Sequence, residues 1–256
     1  MTAPIWLLGC GNMGGALLRR WLADEMGPVA VIDPTARDVP DGVAASAAPP
    51  PGRPDVLVLA VKPQVWRAAA APLAGIAGPM TLVVSVMAGV TTTEIAGLFP
   101  HSAIVRAMPN TPAAIGMGVT ALFTAAGDLA EGAAEALFSP AGTTVWLDDE
   151  SQFDAVTAVS GSGPGYVFAF IEALAAAAAA AGLEPGLAAR LARATVTGAA
   201  ALAASDATTP AAALRERVTS PNGTTAAGLE VLQPGLAPLL VATVAAAAER
   251  SRQLAG

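Results

Sequence analysis

The chain has 256 residues, 54% hydrophobic and 13% charged, with a formal net charge of −7 and a mean hydropathy of +0.57, enough for one large domain or two smaller ones around a real core. The acidic balance excludes an extended nucleic-acid or anionic-membrane footprint, and the shortage of charged surface implies that apolar surface faces another subunit. The single cysteine, Cys10, excludes an intrachain disulfide framework and fits a reducing cytoplasm.

Ile5–Leu8 is a short apolar run ending in GCGNMGG (9–15), followed by a helical pattern through Leu17, Leu18, Trp21 and Leu22. No basic segment precedes the run, so no signal peptide is expected. Val29–Ile32 is a second short run, ending at Asp33. A proline-rich loop (49–54) leads to DVLVLAV (55–61), a continuous apolar stretch that predicts a strand buried on both faces. TLVVSV (81–86) and AIVRAM (103–108) read the same way, with amphipathic segments between them, and 118–124 and 143–147 are candidate edge strands. Strands alternating with helices predict βαβ units and a parallel sheet. After residue 150 the pattern is Ala/Leu-rich and helical, over 151–159, 164–181, 186–204, 210–218, 224–232 and 235–254, punctuated by GSGPG, LEPG and QPG. The expected architecture is α/β: an N-terminal Rossmann-type parallel-sheet domain over 1–150, then an all-α dimerisation domain over 151–256. The apolar run 167–182 is short, mostly alanine and carries Glu172, which predicts a buried helix of a soluble protein and no membrane span.

The first loop has the spacing Gly9-x-Gly11-x-x-Gly14. Gly9 permits the tight turn, Gly11 lets the backbone approach a pyrophosphate, and Gly14 allows helix–strand packing, while the helix start offers N–H donors to phosphate. The glycines alone are a weak signal. Between a strand and a helix, with Asp33 ending the next strand, they predict a dinucleotide site. Asp33 has three readings. It accepts hydrogen bonds from an NAD ribose, or Thr35 and Arg37 beside it hold the 2′-phosphate of NADP, or it only caps the turn at Pro34. Lys62, the only lysine, stands in VKPQ, where Pro63 stops the strand. Ligands of open α/β sheets bind beyond the carboxyl ends of the strands, so Lys62 is placed for cofactor phosphate or ribose. SVMAG (85–89) and RAMPNTP (106–112) should line the same crevice, with Met87, Ala88 and Gly89 letting a nicotinamide or ribose approach the backbone. Arg106 is either a ligand or a member of a structural ion pair. His101, the only histidine, falls in the loop FPHS and is a poor general acid. No His/Cys/carboxylate cluster has metal spacing, so no metal is expected, and serines without a usable histidine make no Ser–His triad.

Two polar loops interrupt the helical half. In SGSGPGY (160–166), Ser160 and Ser162 either cap a helix or help to bind an anion. In VTSPNGTT (218–225), Ser220 and the N–H groups of Gly223, Thr224 and Thr225 could ring a carboxylate at a helix start. Both suit a small anionic molecule.

In order and spacing, GCGNMGGAL, LAVKPQ, VSVMAGV, IVRAMPNTP, VSGSGPGYVF and RVTSPNGTT resemble the motifs of the pyrroline-5-carboxylate reductase family, over almost the whole chain. The resemblance implies an oxidoreductase of the cytoplasm that reduces 1-pyrroline-5-carboxylate, a cyclic imino acid, to L-proline with NADPH or NADH in the last step of proline biosynthesis. It implies a homodimer interlocked through the helical domain, often built into larger rings. It also implies that Leu8, Gly9, Cys10, Gly11, Asn12, Met13, Gly14, Ala60, Val61, Lys62 and Pro63 hold the dinucleotide, beside Met87, Ala88 and Gly89. Asp33 and Thr35 join that set from their place after the second strand. Ser220, Gly223, Thr224 and Thr225 would hold the substrate carboxylate and ring nitrogen, in a site completed by the other subunit. Thr225, hydrogen-bonded to the imine nitrogen, is the catalytic candidate. A protonated imine accepts hydride readily, so the site must chiefly supply placement.

Three positions depart from the family pattern. Pro221-Asn222-Gly223 stands for Pro-Gly-Gly, and asparagine tolerates the left-handed conformation, so the loop geometry is expected to survive. Gly165 replaces an alanine, and Thr208 an acidic residue. A 3-hydroxyacid dehydrogenase would resemble a motif with a lysine in the second domain, and none follows Lys62. A nucleotide-sensing scaffold would have no use for the SPNGTT loop.

Overall fold

Runs of valine, isoleucine and leucine bounded by Gly, Pro and Asp form the strands. The computed structural model describes residues 3–35 and 39–255, which leaves Arg37 outside the described residues. The strands are β1 (Ile5–Leu8), β2 (Val29–Ile32), β3 (Ala44–Ser46), β4 (Val56–Leu59), β5 (Leu82–Ser85), β6 (Ala103–Met108), β7 (Gly118–Thr124) and β8 (Gly142–Trp146). They form one sheet in the order β3-β2-β1-β4-β5-β6-β7-β8, parallel except where β6 meets β7. The order turns outward in both directions from β1, the switch point at which such sheets bind ligands.

Alternate strand residues point to opposite faces. Ile5, Leu7, Val56 and Val58 enter one core with Leu17, Leu18 and Trp21 of helix α1 (Asn12–Ala23) and Leu137 and Phe138 of a later helix. Trp6, Leu8, Leu57 and Leu59 enter the other, against Trp66, Leu73, Ile95 and Phe99. The helices of this region after α1 are α2 (Trp66–Ala70), α3 (Thr92–Ala96) and α4 (Asp128–Phe138). Trp21 Nε1 donates to Leu137 O at 2.8 Å and fastens α1 to α4. β3 has no counterpart in the apolar pattern: its Ala-Ala-Ser residues are exposed, and pairing with β2 makes it a strand.

The helical region holds α5 (Phe153–Val156), α6 (Gly163–Ala180), α7 (Pro185–Ser205), α8 (Ala211–Arg217) and α9 (Thr224–Ala255). Pro185 suits the first turn of α7, and the Glu184 carboxylate caps it by accepting the Gly186 and Leu187 N–H groups at 2.8 Å each. Those two bonds hold the Glu184 carboxyl below the usual carboxylate range.

Three expectations are corrected here. The break at QPG does not occur, because α9 runs through Pro234 and Pro238. Four residues apart, the two prolines delete hydrogen bonds on one face of the helix, and the other faces keep theirs. The expected helix 151–159 is a 3-10 turn, then α5, then a π-helical turn over Thr157–Gly161. The run 167–182 is helical, but no residue of α6 is buried within the single chain. Phe168 is 66% exposed there, and Val231 and Val241 of α9 are 83% and 71% exposed. Small alanines let α6 pack closely on α7, where Ala188 and Ala192 are buried. The chain divides into two compact units, Met1–Ser162 with Ala247–Gly256, and Gly163–Ala246.

Candidate active site

Register builds the first half of the site. Leu8 lies opposite Ile32 and Leu59, and Leu59 opposite Ser85, so Gly9, Asp33, Ala60 and Val86 leave the sheet along one edge. The glycines there answer different demands. Gly9 has φ +93°, and a Cβ on it would lie 2.7 Å from Ala60 O. A Cβ on Gly14 would run into Gly9 O and come within 3.2 Å of Ala60 Cβ. Both are required by the fold. Gly11 has φ −75°, and a Cβ on it would meet nothing within 4 Å. The fold makes no demand on it.

Gly15 N–H donates to Gly11 O at 2.7 Å to begin α1, and no side chain caps that helix start or places an acid in its first turn. The first N–H groups of a helix have no acceptor inside it, which favours an anion. Asp33 closes the neighbouring side: its Oδ2 accepts the Cys10 N–H at 2.8 Å, and its Oδ1 accepts the Thr35 N–H at 2.7 Å and hydroxyl at 2.9 Å. A cavity of about 340 Å³ brings together Leu8, Gly9, Gly11, Asp33, Thr35, Ala60, Val61 and Lys62. Its further lining residues Ile32, Pro34, Val65 and Ala69 were not foreseen; only the i, i+4 spacing of Val65 and Ala69 hints that they share a face.

The remaining expected cofactor residues lie outside that lining. Cys10 and Met13 are half-buried against the first core, Gly14 is buried, and Asn12 is exposed at the start of α1. Pro63 opens a 3-10 turn, and Lys62 precedes it without a side-chain cap bond. Met87 is buried in the second core, its N–H donating to Ser85 Oγ at 3.3 Å, and Ala88 is exposed. Gly89, with φ +74°, lines a separate cavity of about 290 Å³ with Thr91, Arg106, Glu150 and Phe153. SVMAG and RAMPNTP therefore do not share the glycine-loop cavity.

Arg106 is an ion-pair residue. Its guanidinium meets Glu150 at 3.0 Å and lies 4.1 Å from the centre of the Phe153 ring. Glu150 also accepts the Thr92 N–H and hydroxyl, each at 2.8 Å. Buried Asn110 donates to Ser160 O at 3.1 Å and accepts the Val119 N–H at 2.9 Å, joining RAMPNTP to the serine loop. In that loop the Ser160 hydroxyl turns back along the helix and not onto the start of α6. Ser160 lies in the π turn with its hydroxyl on Val156 O, and the Ser162 N–H is taken by Thr157 O. His101 is exposed in a turn, and no group of metal-ligating side chains occurs among the described residues.

In the helical unit, VTSPNGTT is a tight turn leading directly into α9. Asn222 adopts φ +58°, the left-handed conformation expected of it. The Gly223 N–H donates to Ser220 O at 3.0 Å, so it is spent on the turn and does not face a ligand as expected. A side chain on Gly223 would collide with the Ser220 hydroxyl. Thr224 and Thr225 occupy the first turn of α9, where their N–H groups have no acceptor in the helix. Ser220, Thr224 and Thr225 are all exposed in the single chain.

Residues 150–254 match the family model for the pyrroline-5-carboxylate reductase dimerisation domain. The chain is 40% identical to the pyrroline-5-carboxylate reductase of Pseudomonas aeruginosa, over 99% of its own length and 97% of the relative's. It is also 40% identical to the Synechocystis reductase, over 99% of each. A solved pyrroline-5-carboxylate reductase from Coxiella burnetii has a TM-score of 0.90 at 34% identity, covering 99% of both chains. At that identity over nearly the full length of both partners, the chain belongs to the pyrroline-5-carboxylate reductase family.

Proposed function

We propose that this protein is an oxidoreductase that reduces 1-pyrroline-5-carboxylate to L-proline with NADPH or NADH, the last step of proline biosynthesis. The observation that carries this is the 40% identity to a named reductase over 99% of the chain. The residues present fit a dinucleotide: an uncapped helix start, open space at Gly11 and a cavity walled by Asp33 and Lys62. The reduced dinucleotide supplies the hydride that the imine carbon accepts.

We assign the pyrophosphate to the backbone around Gly11, Asn12 and Met13, the adenosine ribose to Asp33 and Thr35, and a phosphate or ribose contact to Lys62. The Gly89 turn, farther along the same sheet edge, is assigned to the nicotinamide end. In the helical unit, the Ser220 hydroxyl and the Thr224 and Thr225 N–H groups hold the substrate carboxylate. The Thr225 hydroxyl bonds to the ring nitrogen, donating to the neutral imine or accepting from the protonated one. Both assignments need only placement, in keeping with the exposed His101 and the absence of a strong acid in either loop.

The protein acts as a homodimer. Two helical stretches, Glu150–Ala180 and Thr224–Leu254, are long and apolar enough to cross a bilayer by length and composition. We assign their exposed apolar side chains to a partner subunit, with the SPNGTT loop completed from that side and dimers joined into larger rings. The acidic chain and single cysteine support a cytoplasmic, membrane-free enzyme. We take dinucleotide binding to residues 1–150 and dimerisation with substrate binding to 151–256, which agrees with a family match beginning at residue 150. The test is incubation with 1-pyrroline-5-carboxylate and each reduced dinucleotide, following cofactor oxidation and proline together. Proline formed in step with oxidation is the expected result, and no proline with either cofactor rules the function out.

A further inference from the structure

The turn that leaves β5 is fastened by side chains to which the proposed reaction gives no part. We infer that Glu150, with Thr92 and Arg106, positions the nicotinamide end of the dinucleotide. The three set where the Gly89 turn holds the reacting carbon, and so govern hydride transfer more than cofactor affinity. The inference rests on the reading that the Gly89 turn carries that end of the cofactor.

β5 ends at Ser85, and residues 86–91 run along the edge of the sheet to α3. Gly89 turns the backbone there with φ +74°. Met87 before it and Val90 after it are buried in the second core, and the Thr91–Glu94 capping box closes the start of α3. Glu150 ties the far end of the turn to the next strand. Its Oε1 accepts the Thr92 N–H at 2.8 Å and the Arg106 guanidinium at 3.0 Å, and its Oε2 accepts the Thr92 hydroxyl at 2.8 Å. Thr92 is the first residue of α3, where a backbone N–H has no acceptor in the helix. A carboxylate 58 positions away thus fixes both its backbone and its side chain. Arg106 lies opposite Ser85 in the register of β5 and β6. The strand position from which the turn departs is therefore also the one to which its end is tied. The Phe153 ring centre, 4.1 Å from the guanidinium, holds Arg106 from another side.

Stability alone does not account for this arrangement. The Arg106 and Glu150 side chains are 9% and 20% exposed, and an ion pair so placed adds little over apolar groups of the same size. What it supplies is a fixed geometry. Hydride transfer needs the donor and acceptor carbons about 3–3.5 Å apart, and a misplacement of about 1 Å costs roughly a hundredfold in rate. Affinity comes chiefly from the phosphate and adenosine contacts of the glycine-loop cavity, which has a different lining.

The test pairs two measurements on the full-length dimer. Fluorescence titration gives the Kd of the reduced dinucleotide. Stopped-flow oxidation of the bound dinucleotide by saturating 1-pyrroline-5-carboxylate gives the hydride step, identified by deuterium at the transferred position. Thr92→Val keeps the shape and the backbone donor but removes the hydroxyl, and Glu150→Gln keeps the shape but loses the ion pair. Both should slow hydride transfer about ten- to a hundredfold with Kd unchanged, and Thr92→Ser should retain the wild-type rate. A wild-type hydride rate in either folded variant overturns the inference. So does a rate loss matched by an equal loss of affinity, or one that Thr92→Ser shares. If Glu150→Gln does not fold, the two threonine variants decide. Gly89→Asn keeps the left-handed backbone and adds a side chain to the turn. A wild-type hydride rate in that variant removes the nicotinamide reading of the turn, whereas a slow Gly89→Asn beside an unaffected Thr92→Val removes only the positioning role. A wild-type protein that forms no proline fails earlier, at the proposed function itself.

Discussion

Replacing Gly11 with valine separates what the fold needs from what a ligand needs. The backbone at Gly11 has φ −75°, open to any residue, and an added Cβ meets no atom within 4 Å. The folded protein should therefore change by no more than about 1 kcal/mol, since the unfolded-state benefit of losing a glycine offsets a slightly poorer helix cap. For a chain of this size that is a melting shift of roughly 2–4 °C. The valine side chain would occupy the space through which a pyrophosphate reaches the α1 N–H groups. Each hydrogen bond lost to a charged group is worth roughly 1.5–3 kcal/mol, so one lost bond raises Kd about ten- to a hundred-and-fifty-fold. Gly14→Ala should behave in the opposite way. Its Cβ is driven into Gly9 O and toward Ala60 Cβ, and overpacking of that kind costs about 1–3 kcal/mol of stability. Thermal melts of both variants with and without dinucleotide, and titrations of the folded Gly11→Val protein, make the comparison. A folded Gly11→Val dimer with wild-type cofactor affinity would refute the assignment of this loop to phosphate.

Thr225→Ala should lower kcat/KM about ten- to a hundred-and-fifty-fold at saturating dinucleotide, for one hydrogen bond to a charged group, with cofactor affinity unchanged. Thr224→Ala, which keeps the backbone donor, should do less; equal, near-wild-type kinetics in the two would reduce both threonines to helix-start residues. Asn222 sits at φ +58°, so Asn222→Gly should be tolerated while Asn222→Val loses about 1–2 kcal/mol in a melt; equal melting of the two would contradict the left-handed turn. Glu150→Ala leaves the Arg106 guanidinium, only 9% exposed, without its carboxylate, and should cost about 3 kcal/mol in denaturant unfolding; a loss under about 1 kcal/mol would mean that the pair behaves as a surface bridge. Sedimentation at assay concentration should find no active monomer, because separation would expose the apolar faces of α6 and α9 to water.

Much of this architecture is local in origin and therefore legible along the chain. Apolar runs of four to six residues mark β1, β2, β4, β5 and β6, because a strand buried on both faces tolerates little else. The left-handed turn at Asn222 follows from residue type, since its φ is a property of one residue and its neighbours. Tertiary structure decided what depends on distant partners. β3 is a strand only because β2 lies beside it. Arg106 becomes an ion-pair residue only when folding brings Glu150 to it from 44 positions away. Met87 and Gly89, two residues apart, part company because the core claims the Met87 side chain while the turn leaves Gly89 beside a cavity. The three glycines of the first loop look alike along the chain. Ala60, just beyond β4, makes Gly9 compulsory and Gly9 O makes Gly14 so, while Gly11 faces open space, because steric demand is set by neighbours in space.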